Sequence, residues 1–295
     1  MRVRDFLLLV AVCLIWGFSN VVSKIVVSDW QVPPLFFAAA RFAIVVAATA
    51  HWLLPMPRPA WRIVAIGLLM GGGNFALLFL GLQTASPSAA AVVVQIGVPF
   101  TTLLSVVILN ERIHWRRGLG IALTLAGVLL VVWRPGGIAI SGGLLYIVAC
   151  AFAGSLGAIL MKQMTDVPPL RFQAWVGLTS CAPLALASAA FETGQWSSSV
   201  AAGWPFVAAL LFAALLVSVF AHTAYYGLIA RYEANLIAPL TLMTPLSTMA
   251  FGVALTGDHL DVRMIAGAAL ALGGVLIVAL RRKRATEVLV MSERP

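Results

Sequence analysis

The chain has 295 residues, 62% of them hydrophobic and only 10% charged, with a mean hydropathy of +1.02. A soluble domain carries about 25% charged residues, so this composition excludes a water-facing surface and makes lipid the solvent. The net charge of +9 does not mark a nucleic-acid partner, because its distribution follows a membrane topology.

A membrane helix needs roughly 20 apolar residues, and ten such windows follow one another. They are Asp5–Ser28, Pro34–Leu54, Trp61–Gln83, Ser88–Leu109, Arg116–Trp133, Gly142–Gln163, Pro169–Phe191, Gly203–Ala230, Ala234–Thr256 and Val262–Leu280. Each is bounded by Pro, Gly or charge, the usual breakers at span ends. A barrel would need alternating segments of roughly ten residues, and there are none. The first window is long and lacks a small-residue cleavage site, so it reads as a retained helix and not a signal peptide. Cys13, Cys150 and Cys181 fall inside windows without paired spacing and read as packing residues. The expected fold is an all-α integral membrane protein of ten transmembrane helices.

Charge then orients the chain. With the N-terminus in the cytoplasm, inside segments hold fifteen of the 19 Lys and Arg. Outside segments hold three (Lys24, Arg134 and Arg263), and Arg41 lies within a span. That positive-inside bias predicts a multi-pass protein of a bacterial inner membrane with both termini cytoplasmic. The Arg281–Arg284 cluster is a stop and orientation signal that can also touch anionic lipid.

The spans repeat. Residues 120–131 (GIALTLAGVLLV) match residues 267–278 (GAALALGGVLIV), and the same shift pairs Arg116 with Arg263 and Glu111 with Asp258. One residue less in shift pairs Gly81 and Leu82 with Gly227 and Leu228, and Pro99 with Pro245. Val32-Pro-Pro-Leu35 recurs as Val167-Pro-Pro-Leu170. The expected organisation is one repeat over residues 1–134, a second over 141–281 and a basic cytoplasmic tail over 282–295. Five helices per repeat is an odd number, so the second copy enters the membrane from the opposite side. Such two inverted five-helix repeats place related gates at the two faces around a midplane site. This arrangement favours a transporter over a membrane enzyme or receptor.

Specific words along the chain carry a family likeness. The first helix reads Trp16-Gly17-Phe18-Ser19-Asn20-Val21-Val22-Ser23-Lys24, and the second opens Pro33-Pro34-Leu35 and reaches Arg41-Phe42. Asn110-Glu111-Arg112-Ile113 closes the fourth, while Arg231-Tyr232-Glu233 precedes a ninth helix containing Ala238-Pro239-Leu240 and Pro245. In order and spacing the sequence resembles the EamA family of the drug/metabolite transporter superfamily, most of all its exporters of O-acetylserine, cysteine and related amino-acid metabolites. The resemblance implies ten helices, a cavity lined largely by helices 1, 3, 4, 6, 8 and 9, and outward movement of small metabolites. The sixth helix reads Ala153-Gly154-Ser155-Leu156-Gly157-Ala158, without the Trp and Asn its counterparts often show.

In lipid every polar group needs a partner or a hydrated cavity. Trp16, Asn20 and Lys24 share one stripe of the first helix, an aromatic wall, an amide and a cation suited to a zwitterionic or carboxylate-bearing solute. Two bland alternatives stand beside this: Asn20 bonded to a neighbouring backbone and Lys24 snorkelling to the surface. Asn74 follows three glycines that allow local unwinding, so its amide can face a cavity. Gln95 and Thr241 are repeat partners, each one turn before a mid-span proline, Pro99 and Pro245. Such a proline frees a carbonyl and permits a bend, serving either gating or a static shape. Tyr225 either walls the cavity or packs at an interface.

Arg41 lies about 10 Å into its helix by helical rise. Clamping of the helix 1–2 region is its favoured role, with direct attraction of solute the other. No span carries Asp or Glu near its middle. His222 is the one deep group that ordinarily titrates near neutrality, either a proton carrier or a buried neutral side chain. Glu111 and Asp258 sit at equivalent helix ends, where each can latch a gate by pairing with Arg (Arg112 or Arg116, and Arg263) or make an ordinary surface pair.

No Walker-type loop, paired carboxylates, metal cluster or nucleophile elbow is present, so neither a cofactor nor catalysis is expected. The expected partners are a small-molecule substrate and the bilayer, with a homodimer left open and no nucleic acid. The leading reading is a secondary exporter of amino-acid-type metabolites working by alternating access. A carrier of another solute class, such as organic cations, is the alternative.

Overall fold

The computed structural model describes residues 1–110, 115–134, 137–138, 141–164, 167–232, 237 and 239–280. Glu111, Arg112 and the basic cluster from residue 281 lie outside these. The helices are α1 (Val3–Asp29), α2 (Pro34–Trp52), α3 (Ala60–Leu82), α4 (Pro87–Leu109), α5 (Trp115–Val132), α6 (Gly142–Met161), α7 (Pro169–Phe191), α8 (Gln195–Ile229), α9 (Met243–Thr256) and α10 (Val262–Ala279). Among the described residues nine of them are long and apolar enough to cross a membrane, and α9 is a shorter apolar helix. The chain is therefore a predominantly helical, multi-pass membrane protein. Among the described residues the one piece of sheet lies between α5 and α6, where β1 (Trp133–Arg134) pairs antiparallel with β2 (Gly137–Ile138).

Helix limits fall close to the expected ones, with two differences. The eighth helix starts at Gln195, not Gly203. Gly203 interrupts it at φ 64°, ψ −149°, a conformation a glycine adopts without steric cost, so a polar lead-in turns into the apolar span. The regular run of α9 begins at Met243, after turns at Thr241 and Leu242. The expected start at Ala234 lies outside the described residues.

The ends are chemically punctuated. Pro34, Pro87 and Pro169 stand at first helical positions. Side chains of Ser86, Ser141 and Asp261 cap α4, α6 and α10. Asn110 and Gly257 close α4 and α9 in the left-handed conformation. Exposed Trp61 and Trp115 mark the end carrying the α2–α3, α4–α5 and α6–α7 connections, and Trp133, Trp196 and Trp204 mark the opposite end. Two such aromatic levels are what membrane interfaces select.

Helices α5 and α10 pack especially tightly. Gly120 faces Gly274 and Gly127 faces Gly267, so tightly that a Cβ on any of the four would come within 2.5–2.7 Å of the facing glycine's carbonyl oxygen. Between them the Thr124 hydroxyl donates to the Ala271 carbonyl at 3.5 Å. Small residues permit this approach and van der Waals packing holds it, since lipid supplies no hydrophobic force between helices. Helix α2 is clasped to α7 at both ends. The Glu192 carboxylate accepts from the Leu35 and Phe36 amides at 2.7 and 2.8 Å, and Trp175 Nε1 donates to the Leu53 carbonyl at 2.9 Å.

Candidate functional site

Four helices leave regular α geometry around the centre of the bundle. Helix α3 widens to a π-helix over Gly67–Gly73, directly before Asn74, and α8 does so over Phe212–Ala221, directly before His222. Such wide turns recur at functional sites because they leave carbonyls free and re-aim side chains. Helix α4 tightens to a 3-10 turn over Val94–Ile96. Pro99 lacks the N–H that would bond the Gln95 carbonyl one turn earlier. Pro245 denies Thr241 the same bond, which fits the late start of the regular run of α9.

Two hollows open where these irregular turns meet. The first, about 280 Å³, is lined by Trp16, Met70, Asn74, Phe75, Gly154, Ala158, Met161, Gln173, Val176, His222, Tyr225, Tyr226 and Ile229. The second, about 230 Å³, is lined by Trp16, Asn20, Ala91, Val94, Gln95, Tyr225, Thr241, Thr244, Pro245 and Thr248. Trp16 and Tyr225 belong to both walls and meet edge to face with centroids 5.0 Å apart, so this pair is the partition. A third hollow shares Met161, Tyr226 and Ile229 with the first and continues past Met164 and Val167. It leads the first hollow toward the α6–α7 end.

Six of the seven residues expected to contact solute (Trp16, Asn20, Asn74, Gln95, Thr241 and Tyr225) are thus brought together. Asn20 donates to the Thr248 hydroxyl at 3.2 Å and Asn74 to the Cys150 carbonyl at 2.9 Å. Gln95 reaches back to the Ala91 carbonyl at 3.3 Å. The buried Trp16 Nε1 has no hydrogen-bond acceptor among the described residues, leaving a donor in the shared wall. Lys24 stands apart, its Nζ donating to the Gln83 carbonyl at 3.2 Å near the α3–α4 end. On α6 the wall consists of Gly154 and Ala158. A Cβ at Gly154 would lie 2.9 Å from the Asn74 amide nitrogen, so the missing side chain there is what makes room for Asn74.

The residues expected to couple or gate divide differently. His222 lines the first hollow, with Nδ1 2.7 Å from the Val217 carbonyl and the ring 5.0 Å from that of Trp16. Arg41 is fully buried and joins α2 to α8 and α3. Its Nε donates to the Ser218 hydroxyl at 2.8 Å, and its guanidinium carbon sits 4.0 Å from the Phe75 ring centroid. These partners differ from the helix 1–2 clamp expected of it. Asp258 also finds partners other than the expected Arg263. Its carboxylate accepts from the Ser88 amide at 2.8 Å and the Thr256 hydroxyl at 3.1 Å, while Arg263 lies over the Trp133 ring. An N-terminal amide of α4 offers a charge-assisted bond without burying a second charge.

Sequence reasoning passed over Phe75, Gln173, Ser218, Thr248 and Glu192. Ser218 and Thr248 are small hydroxyls in apolar runs, where they commonly bond their own helix. Only the fold turns them toward Arg41 and Asn20. Glu192 carried a signal, because a carboxylate at a helix end suits the positive N-terminus of another helix. Among the described residues no group of three His, Cys, Asp or Glu is gathered to hold a metal.

Comparison with known proteins completes the description. The model of the EamA-like transporter family matches this chain twice, over residues 4–133 and 141–280. A probable amino-acid metabolite efflux pump of Salmonella typhimurium is 30% identical over 93% of this chain and 94% of its own length. One of the same description from Escherichia coli is 27% identical over 97% and 98%. A solved crystal structure, 23% identical and covering 95% of this chain and 98% of its own, superposes with a TM-score of 0.66 and shares the fold.

Proposed function

Because the chain belongs to the EamA-like transporter family, we propose that it is a secondary exporter of small amino-acid-type metabolites, working by alternating access. Family and relatives alike point to transport and not to catalysis. The observation that carries the solute class is the divided central hollow. It offers amides and hydroxyls from Asn20, Asn74, Gln95, Thr241 and Thr248, an indole donor from Trp16, and no carboxylate among its lining residues. Such a lining suits the ammonium, carboxylate and short side chain of an amino-acid derivative. It does not suit an organic cation, which would want a fixed negative charge.

Alternating access needs two related gates, and repeat-equivalent features support them. With ten crossings as two inverted repeats (residues 1–134 and 141–281), the contacts of α5 with α10 become self-complementary. Gly120 meets the counterpart of Gly127, Gly127 meets the counterpart of Gly120, and Thr124 meets its own counterpart, Ala271. That is the signature of a two-fold axis. The π-turns of α3 and α8, the prolines of α4 and α9, and the left-handed caps Asn110 and Gly257 also fall at corresponding positions.

In the bacterial inner membrane with both termini cytoplasmic, the hollow that runs to the α6–α7 end faces the cytoplasm, the loading state of an exporter. Transport of labelled amino-acid metabolites into inverted vesicles tests the proposal. Saturable uptake above vesicles lacking the protein is expected, and no uptake of any of them would refute it.

A further inference from the structure

Arg41 carries more binding capacity than the fold uses. A guanidinium has five N–H donors in a rigid fork and no acceptor. Here the side chain is 0% exposed, and Nε alone has a hydrogen-bond acceptor, the Ser218 hydroxyl at 2.8 Å. Both Nη atoms are buried without an acceptor among the described residues. Phe75 covers the guanidinium with its ring face, 4.0 Å from the centroid, and that same ring lines the first hollow. The groups packed around it from α3 and α8 (Phe75, Ser218 and, beyond the ring, His222) bring no negative charge.

A cation in a membrane interior is costly unless something neutralises it, and a cation–π contact offsets only part of that cost. Ser218 does not add charge, since its hydroxyl donates onward to the Ala213 carbonyl at 3.2 Å. What remains is an end-on fork of parallel N–H groups, the arrangement that a carboxylate fits with two oxygens at once.

Building on the exporter reading, we propose that Arg41 is the binding point for the carboxylate of the transported solute, with Phe75 as the shutter between it and the hollow. Binding there cancels the buried charge of Arg41 at the α2–α3–α8 junction. The amine and side chain of the solute stay against Asn74 and Trp16. The site takes carboxylate-bearing zwitterions and rejects their decarboxylated analogues.

The experiment measures binding to the purified full chain by the rise in its melting temperature, since ligands that prefer the folded state raise it. The probes are L-cysteine, cysteamine (the same amine and thiol without the carboxylate), acetate and chloride. Wild type is expected to bind cysteine and acetate and to discriminate against cysteamine and chloride. Arg41→Gln is expected to lose about tenfold or more in affinity for both carboxylates, the scale of a lost charge-assisted hydrogen bond, and to leave cysteamine unchanged.

If acetate binds through Arg41 while cysteine does not, the exporter reading falls and the carboxylate site stands. If Arg41→Gln binds cysteine as wild type does, or wild type binds cysteamine or chloride as well as the carboxylates, or wild type binds neither carboxylate, the assignment is overturned. Should Arg41→Gln not fold, Phe75→Ala keeps the guanidinium and removes the shutter. Faster acetate association is then expected, and an unchanged rate overturns the proposal.

Discussion

At the residue scale the central hollow is a set of donors and acceptors only partly satisfied by the protein. Asn20 illustrates the balance. Its amide bonds Thr248 across the α1–α9 contact while lining the second hollow, so under the proposed function it would serve both packing and solute. Asn20→Ala leaves α1 apolar enough to insert, and we expect membrane levels near wild type with transport reduced about tenfold, one hydrogen bond's worth. Normal export by that variant would remove Asn20 from the site. Trp16 partitions the hollow with Tyr225, so Trp16→Ala should merge the two halves and admit bulkier solutes. A competition assay with amino acids of increasing size measures this, and an unchanged size limit counts against the partition. The i, i+4, i+8 spacing of Trp16, Asn20 and Lys24 places them on one stripe of α1. It did not show that Lys24, two turns beyond Trp16, reaches the Gln83 carbonyl instead of the hollow.

At the element scale, helix pairs held by glycine and helix ends held by carboxylates behave differently. The α5–α10 contact has no room for side chains at Gly120, Gly127, Gly267 or Gly274, whereas nothing lies within 4 Å of a Cβ at the adjacent Gly273. Gly127→Leu should therefore cost about 1–3 kcal/mol from overpacking. Gly273→Leu on α10 should stay within about 0.5 kcal/mol. Melting temperatures of the two variants in one detergent compare them, and equal shifts would argue against the close contact. The span limits were readable from apolar runs and their Pro and Gly borders, because lipid imposes both length and composition on a crossing helix. The π-turns of α3 and α8 were not, since hydropathy does not register which carbonyl a given amide chooses.

At the scale of the whole molecule, the α3–α4 end is fastened where the α6–α7 end is hollow. Glu192, at the end of α7, caps the start of α2, and Asp258, just past α9, caps the start of α4. Replacing both by Gln and Asn removes the charge while keeping shape. The double variant should then expose the α3–α4 end more often, read as faster labelling of a cysteine placed at Gln95 by a reagent applied from that side. Unchanged labelling would leave the two carboxylates as static caps. The proposed inverted arrangement has its own test. Tags beside Arg134 and beside Lys162 should be found on opposite sides of the membrane, and finding both on one side would refute opposed insertion.

The amino-acid order alone determined that this chain lives in lipid, where most of its helices begin and end to within a few residues, and that its halves echo one another. Apolar length, positive charge and the position of proline are one-dimensional properties. Tertiary structure decided which polar atoms meet. It sent Arg41 to Ser218 and Phe75 instead of the neighbouring helix, gave Asp258 a backbone amide instead of Arg263, and set Gly154 against Asn74. In a bundle the identity of a partner depends on the rotation and depth of two helices far apart in the chain. Those are fixed by packing, and no local pattern encodes them.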